Sequence, residues 1–148
     1  MKIFIPMAGK GTRLRPFTLT CPKPLINVLD KPIVEHLIDQ ITSKVKSNID
    51  EIVYILGDES YFNAEVVNSL KRISEKYNAK TKIYRQLEQL GTGHAIMCAE
   101  ESLSGPSIIA YADTMIQGNI EIETQVDGIR LVKKVDNPSA YGVVKIDN

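Results

Sequence analysis

Apolar residues along this chain form short runs that alternate with longer segments in which they recur at helical spacing. Three of the short runs end near glycine or aspartate, a pattern typical of strands; they lie at residues 3–7, 52–56 and 107–111. A further strand is predicted at residues 81–85, where apolar and polar residues alternate. The segments with helical spacing lie between them, at residues 32–45, 62–77 and 92–103. This alternation predicts a parallel sheet with helices on both faces, which is an α/β fold.

Several local signals refine these elements. Pro32 suits the first position of a helix, with Asp30 just upstream as a candidate cap, and Thr92 is a candidate cap for the third helix. After Asp113 the pattern weakens, and residues 118–127 are polar and ambiguous. Two more strands are predicted further on; they lie at residues 129–135 and 143–146, with a turn at 136–139.

Composition narrows the classes of function. With 148 residues, 43% of them hydrophobic, the chain is predicted to form one domain over residues 1–148. Eighteen basic residues balance eighteen acidic ones, which argues against a nucleic-acid binder. Cys21 and Cys98 are too far apart for a zinc ribbon or a disulfide scaffold. We expect reduced thiols, no signal peptide, no membrane span and a cytoplasmic location.

The long segment between the first strand and the first helix, residues 8–31, is the first candidate for chemistry, because loops of this length are usually functional. Gly9 and Gly11 allow backbone N–H groups to approach phosphate oxygens closely. The side chains that could assist are a hydroxyl and several cations, from Thr12, Arg13 and Lys23, with Lys10 and Arg15 as further candidates. An ordinary turn with surface charges is the alternative.

Two common phosphate motifs do not fit this loop. The dinucleotide fingerprint requires a glycine where Leu14 stands, and no Gly-Lys-Ser/Thr sequence of a P-loop follows Gly9 or Gly11. Instead, the run GKGTRLRPFT at residues 9–18, followed by PKPL at residues 22–25, resembles the signature of the sugar-phosphate nucleotidylyltransferases. That family includes glucose-1-phosphate thymidylyl- and uridylyltransferases and mannose-1-phosphate guanylyltransferases.

The resemblance implies a Rossmann-like, three-layer domain of the nucleotide-diphospho-sugar transferase type. It implies that a nucleoside triphosphate and a sugar 1-phosphate react to give a nucleotide-sugar and pyrophosphate. Two segments would bind the nucleotide, with the second reading the base edge; they contribute Ala8, Gly9, Lys10, Gly11 and Thr12, then Gln86, Gly91 and Thr92.

By the same resemblance, three side chains would be catalytic. Arg13 would bind the phosphates and stabilise the pyrophosphate leaving group, and Lys23 would bridge the α-phosphate and the sugar phosphate. Asp113 would hold Mg²⁺, and Tyr141 and Gly142 would contact the sugar. From the residues alone, Lys23 could instead be a solvated charge and Asp113 a cap at a strand end. His36 and His94 have no visible partner set and are interpreted as structural or peripheral.

The sequence departs from the family pattern in three places. Lys10 and Ala112 stand where the family often has a smaller residue and a glycine. The chain stops at Asn148, before the family's Glu-Lys pair, further strands and second aspartate, so we expect a C-terminally truncated domain. It would be a fragment or a naturally short relative, and it would form a homo-oligomer or be part of a longer chain.

Other functions remain open at this stage. A non-catalytic module that binds a nucleotide or nucleotide-sugar is the main alternative, and a purely structural domain is another. The sequence fixes neither the nucleotide nor the sugar, and cytidylyl transfer to a non-sugar phosphate is a related possibility.

Overall fold

The computed structural model describes residues 1–116, 126–140 and 142–145. Its strands are β1 (Lys2–Pro6), β2 (Asn27–Val28), β3 (Lys31–Pro32), β4 (Glu51–Leu56), β5 (Lys80–Arg85) and β6 (Ser107–Ile109). Its α-helices are α1 (Ile33–Thr42), α2 (Ala64–Glu75) and α3 (Thr92–Met97).

Four of these strands form the parallel sheet that the alternating pattern predicts. Their order is β5-β4-β1-β6, and every neighbouring pair is parallel. In the register, Phe4 of β1 lies beside Val53 of β4 on one side and Ile109 of β6 on the other. Along the chain, β4 and then β5 are therefore added on one side of β1, and β6 is added on its other side.

Helices cover both faces of this sheet, which confirms the three-layer arrangement. Side chains of a strand alternate between faces, so Ile3 and Ile5 point to the larger core while Phe4 points to the smaller one. The larger core packs α1 and α2 against the sheet, and the smaller one packs Ala95 and Ala99, in and just after α3, against Phe4. Small residues on α3 therefore let that helix lie close to the sheet.

The starts of the helices differ from the sequence-based expectation. Asp30 does not cap α1, because it lies in the turn of a hairpin formed by β2 and β3 inside the predicted loop. The helix begins after Pro32 without a side-chain cap. Thr92 does not cap α3 either, since Gly91 occupies the cap position. α2 has a conventional cap, in which Asn63 Oδ1 accepts from two backbone N–H groups.

Later elements are shorter than predicted. The third helix ends at Met97 and is followed by a 3-10 turn, Glu100–Ser102, and the last strand of the sheet ends at Ile109. Residues 129–135 and 143–145 are exposed and are not strands, so those two predictions are wrong for the described residues. β-propensity alone does not make a strand without a neighbouring strand to pair with. Residues 118–125 and 146 of these segments lie outside the described residues.

Within the described ranges, no helix combines the length and the apolar character that crossing a bilayer requires.

Candidate functional site

The loops that follow the parallel strands meet at one edge of the sheet. In open α/β sheets, ligands bind at this carboxyl edge, where neighbouring strands lead to opposite sides of the sheet. Here that point lies between β1, whose chain continues towards β4, and β6, which is added on the other side. We call residues 7–26, which follow β1, the first loop, and residues 86–91, which follow β5, the second loop.

A cleft of about 740 Å³ opens at this point. It collects most of the first loop's predicted ligand groups together with the aspartate after β6; they are Gly9, Lys10, Gly11, Thr12, Arg13, Lys23 and Asp113. Topology therefore brings together residues up to 104 positions apart, from Gly9 to Asp113.

The backbone of the first loop turns sharply at Gly11. This residue has φ +60°, in the left-handed region that glycine adopts without strain. A Cβ there would lie 3.1 Å from Thr18 Cγ2 and 3.2 Å from Lys23 Cβ. The Thr18 hydroxyl donates to the Gly11 carbonyl at 2.8 Å. Gly11 therefore packs its backbone directly against the segment that carries Lys23.

Residues outside the first loop hold it in place. The single proton of the Tyr61 hydroxyl is shared between the carbonyl oxygens of Thr18, at 2.6 Å, and Cys21, at 3.1 Å. Burial raises the pKa of Tyr61, which keeps this hydroxyl protonated as a donor. A Cβ on Gly57 would lie 2.7 Å from the Ala8 carbonyl oxygen, so the end of β4 also touches the start of the loop.

Lys23 and Asp113 form an ion pair in the cleft. Lys23 Nζ lies 3.0 Å from Asp113 Oδ2, and the two side chains are 31% and 57% exposed. Arg13 lines the same cleft, is exposed and makes no ion pair with any described residue. Three cations, Lys10, Arg13 and Lys23, and one carboxylate thus line a single opening, a charge pattern that suits an anionic ligand with a bound cation.

The residues of the cleft can be tested for their fit to Mg²⁺. The described residues contain no group of three or more potential metal ligands. Mg²⁺ commonly uses only one or two protein carboxylates and completes its shell with water and substrate phosphates. Asp113, exposed at the cleft, fits a metal that arrives with a polyphosphate.

The second loop is held differently. Gln86 is buried, with 6% exposure, and its Nε2 donates to the Gly91 carbonyl at 3.0 Å and lies 3.2 Å from His94 Nδ1. Gln89, which the sequence analysis did not single out, lines the cleft from this loop. His36 lies away from these groups, with Nε2 2.9 Å from the Val28 carbonyl.

Several predicted ligand residues do not line the cleft: Ala8, Gln86, Gly91, Thr92 and Gly142. Ala8 and Gln86, near the starts of the first and the second loop, are both buried. Tyr141 lies outside the described residues. Tyr111 lines the cleft and was missed, although its place just after β6 is a usable signal. Both cysteines are free thiols.

Comparison with known proteins gives matches along the whole chain. A family model described as "Nucleotidyl transferase" matches residues 4–148. "Bifunctional protein GlmU" of Methanococcus maripaludis is 32% identical over 99% of this chain and 33% of its own length. "Mannose-1-phosphate guanyltransferase" of Emericella nidulans is 33% identical over 97% of this chain and 40% of its own length.

A solved structure of UDP-glucose pyrophosphorylase complexed with UDP-glucose has a similar fold. Its TM-score is 0.57 and its identity 28%, over 76% of this chain and 45% of that one. This likeness supports the predicted nucleotide-diphospho-sugar transferase type of fold. The chain spans about a third to two fifths of the length of the two curated relatives.

Proposed function

The chain belongs to the nucleotidyl transferase family, and we propose that it forms the part of a sugar-phosphate nucleotidylyltransferase that binds the nucleoside triphosphate. The domain covers residues 1–148. Its reaction joins a nucleoside triphosphate and a sugar 1-phosphate to give a nucleotide-sugar and pyrophosphate.

The observation that carries this proposal is the pairing of Lys23 with Asp113 in the cleft that Arg13 and the glycine loop also line. These groups come from two distant parts of the sequence, and each is of a type that binds phosphate or its metal. A purely structural domain gives no reason for three cations and a carboxylate to meet at the carboxyl edge of the sheet.

The reaction needs positioning and charge neutralisation more than covalent catalysis. An oxygen of the sugar phosphate attacks the α-phosphorus, and the bond from that phosphorus to the pyrophosphate oxygen breaks. Arg13 binds the departing pyrophosphate, and Lys23 holds the α-phosphate against the sugar phosphate. Mg²⁺ held by Asp113 supplies further positive charge when it is bound. His94 and Cys98 take no part in this step.

The first loop supports this scheme through its backbone. Residues Gly9, Lys10, Gly11 and Thr12 offer N–H groups and a hydroxyl to the phosphates and ribose. By the family resemblance, we propose that Gln86 and Gly91 of the second loop, with Thr92 at the start of α3, serve base recognition, and that Tyr141 and Gly142 serve sugar binding. We propose a cytoplasmic location and a homo-oligomer or a longer chain as the working form, with no nucleic-acid or membrane partner.

Binding is the direct test. Each of five nucleoside triphosphates with Mg²⁺ is added in a thermal-shift panel, since a ligand that binds the folded state raises its stability. We expect one or more to raise the unfolding temperature, and Arg13→Ala to weaken that ligand's affinity at least about tenfold, the scale of a lost charged contact of ~1.5 kcal/mol or more. Arg15→Ala is the matched control, because Arg15 is exposed beside Arg13 but does not line the cleft.

Turnover is tested by adding hexose 1-phosphates and measuring pyrophosphate. Release of pyrophosphate that depends on Arg13, Lys23 and Asp113 supports the enzyme. Saturable binding without any product, across every pair of substrates, indicates a binding module instead. If no triphosphate binds, both assignments are wrong.

A further inference from the structure

His94 and Gln86 form a side-chain pair behind the second loop that the proposed reaction does not use. We propose that His94 is a positioning residue: it fixes the amide of Gln86 and thereby holds the second loop as the base-side wall of the cleft. This inference rests on the proposed function, because it assigns a role within the nucleotide site.

The orientation of the Gln86 amide follows from its neighbours. The amide lies 3.0 Å from the Gly91 carbonyl oxygen, which can only accept a hydrogen bond. The amide nitrogen must therefore face Gly91, since the amide oxygen would be repelled there. The second hydrogen of the same nitrogen is then directed at His94 Nδ1, 3.2 Å away.

This arrangement also selects the tautomer of the neutral His94 ring. Nδ1 accepts from Gln86, so in the neutral ring the proton is on Nε2. That nitrogen lies 3.9 Å from Cys98 Sγ, and sulfur is a weak acceptor. Both ring nitrogens are thus turned to partners inside the protein, and His94 is not presented to the cleft as a general base.

The pair joins the two ends of the second loop. Gln86 N donates to the Leu56 carbonyl at 2.8 Å, which attaches the first end to β4. The Gly91 carbonyl accepts both from the Gln86 side chain and from Ala95 N at 3.2 Å, which attaches the other end to α3. Between these ends, Gln89 lines the cleft. Without His94, one N–H of a buried amide loses its partner and the hold on this wall weakens.

Three substitutions of His94 distinguish a role in positioning the Gln86 amide from a role in packing alone. The side-chain oxygen of His94→Asn lies close to the place of Nδ1 and keeps an acceptor for Gln86, whereas His94→Gln extends its amide towards the place of Nε2. His94→Ala removes both. Cys98→Ala is a control that removes the weak contact on the other side of the ring, together with a small part of the packing against the smaller core.

The readout compares two ligands: the best-binding nucleoside triphosphate and inorganic tripolyphosphate, each with Mg²⁺. We expect His94→Ala and His94→Gln to weaken the nucleotide by about three- to tenfold, the size of one hydrogen bond, with tripolyphosphate unchanged. His94→Asn and Cys98→Ala should bind the nucleotide within about twofold of the parent. In a Gln86→Met background, His94→Ala should have no further effect.

Several results would overturn the inference. Equal loss for His94→Asn and His94→Gln, equal loss for both ligands, or an undiminished effect in the Gln86→Met background each contradict positioning through Gln86. If His94→Ala does not fold, the comparison of His94→Asn with His94→Gln decides. If the unaltered protein binds neither ligand, the proposed function fails rather than this inference.

Discussion

The two loops at the carboxyl edge of the sheet are held by different kinds of contact. The first loop depends on distant residues: Gly57 at its start, Tyr61 in its middle and Asp113 opposite Lys23. The second loop is held mainly within eight residues of sequence, from Gln86 to His94. The first loop can therefore adopt its conformation only when the sheet is assembled. Substitutions in the second loop, by contrast, should leave the sheet and the proposed phosphate-binding residues in place. We therefore expect substitutions at the contacts of the first loop to affect stability more than substitutions in the second loop.

The largest effect is expected at the close contact beneath the first loop. In Gly57→Ala the new Cβ would lie 2.7 Å from the Ala8 carbonyl oxygen and 3.1 Å from Phe62 Cε2. Since neither the backbone nor this buried ring can move freely, the free energy of unfolding should fall by about 1–3 kcal/mol. Urea unfolding measures it.

Gly9→Ala is the matched control for that substitution. A Cβ at Gly9 meets nothing within 4 Å, so the urea midpoint should stay near that of the parent. Equal midpoints for both variants would show that the contact with Ala8 is not rigid.

The next effect concerns the hydrogen bonds in the middle of the first loop. Tyr61→Phe removes the donor to the Thr18 and Cys21 carbonyls, which should cost about 1–2 kcal/mol of unfolding free energy and weaken triphosphate binding severalfold. Asn63→Ala, two residues away, removes the cap of α2 and should cost about 1 kcal/mol without changing affinity. Calorimetric binding on both variants checks this. A parallel loss of affinity in Asn63→Ala would mean that general destabilisation, not the loop, is responsible.

A smaller effect on stability, with a larger one on binding, is expected for Lys23→Met. Its ion pair with Asp113 is exposed to solvent, so the free energy of unfolding should change by less than about 1 kcal/mol. Affinity for the triphosphate with Mg²⁺ should fall at least about tenfold, because a charged contact to phosphate is lost. If Lys23→Met lowers the free energy of unfolding but leaves the affinity for the triphosphate unchanged, Lys23 has a structural role only.

The smallest effect is expected in the second loop. Leu87 is 71% exposed, and Leu87→Ser should change stability by no more than about 0.5 kcal/mol. Thermal melts and the tripolyphosphate affinity should both match the parent. A marked loss of either would show that the second loop is more closely tied to the sheet than its contacts indicate.

The spacing of apolar residues was sufficient to predict the main strands and helices. β1, β4, β5 and the helices α1 and α2 lie where the apolar pattern predicts them, because the central strands β1 and β4 bury both faces and each helix buries one. This spacing was insufficient where the pairing of strands decides whether a segment forms a strand. The hairpin of β2 and β3 lies inside a predicted loop, and residues 129–135 form no strand despite their β-branched residues.

The sequence by itself determined the alternation of strands and helices and the chemistry of the first loop, because apolar spacing and residue type are local properties. Only the tertiary structure decided that Lys23 meets Asp113, that Gln86 is turned inwards to His94, and that Tyr61 holds a loop 40 residues earlier. Such contacts depend on the order of strands in the sheet and on which carbonyls the strands leave unpaired. Neither the strand order nor the set of unpaired carbonyls can be predicted from the spacing of residues along one segment.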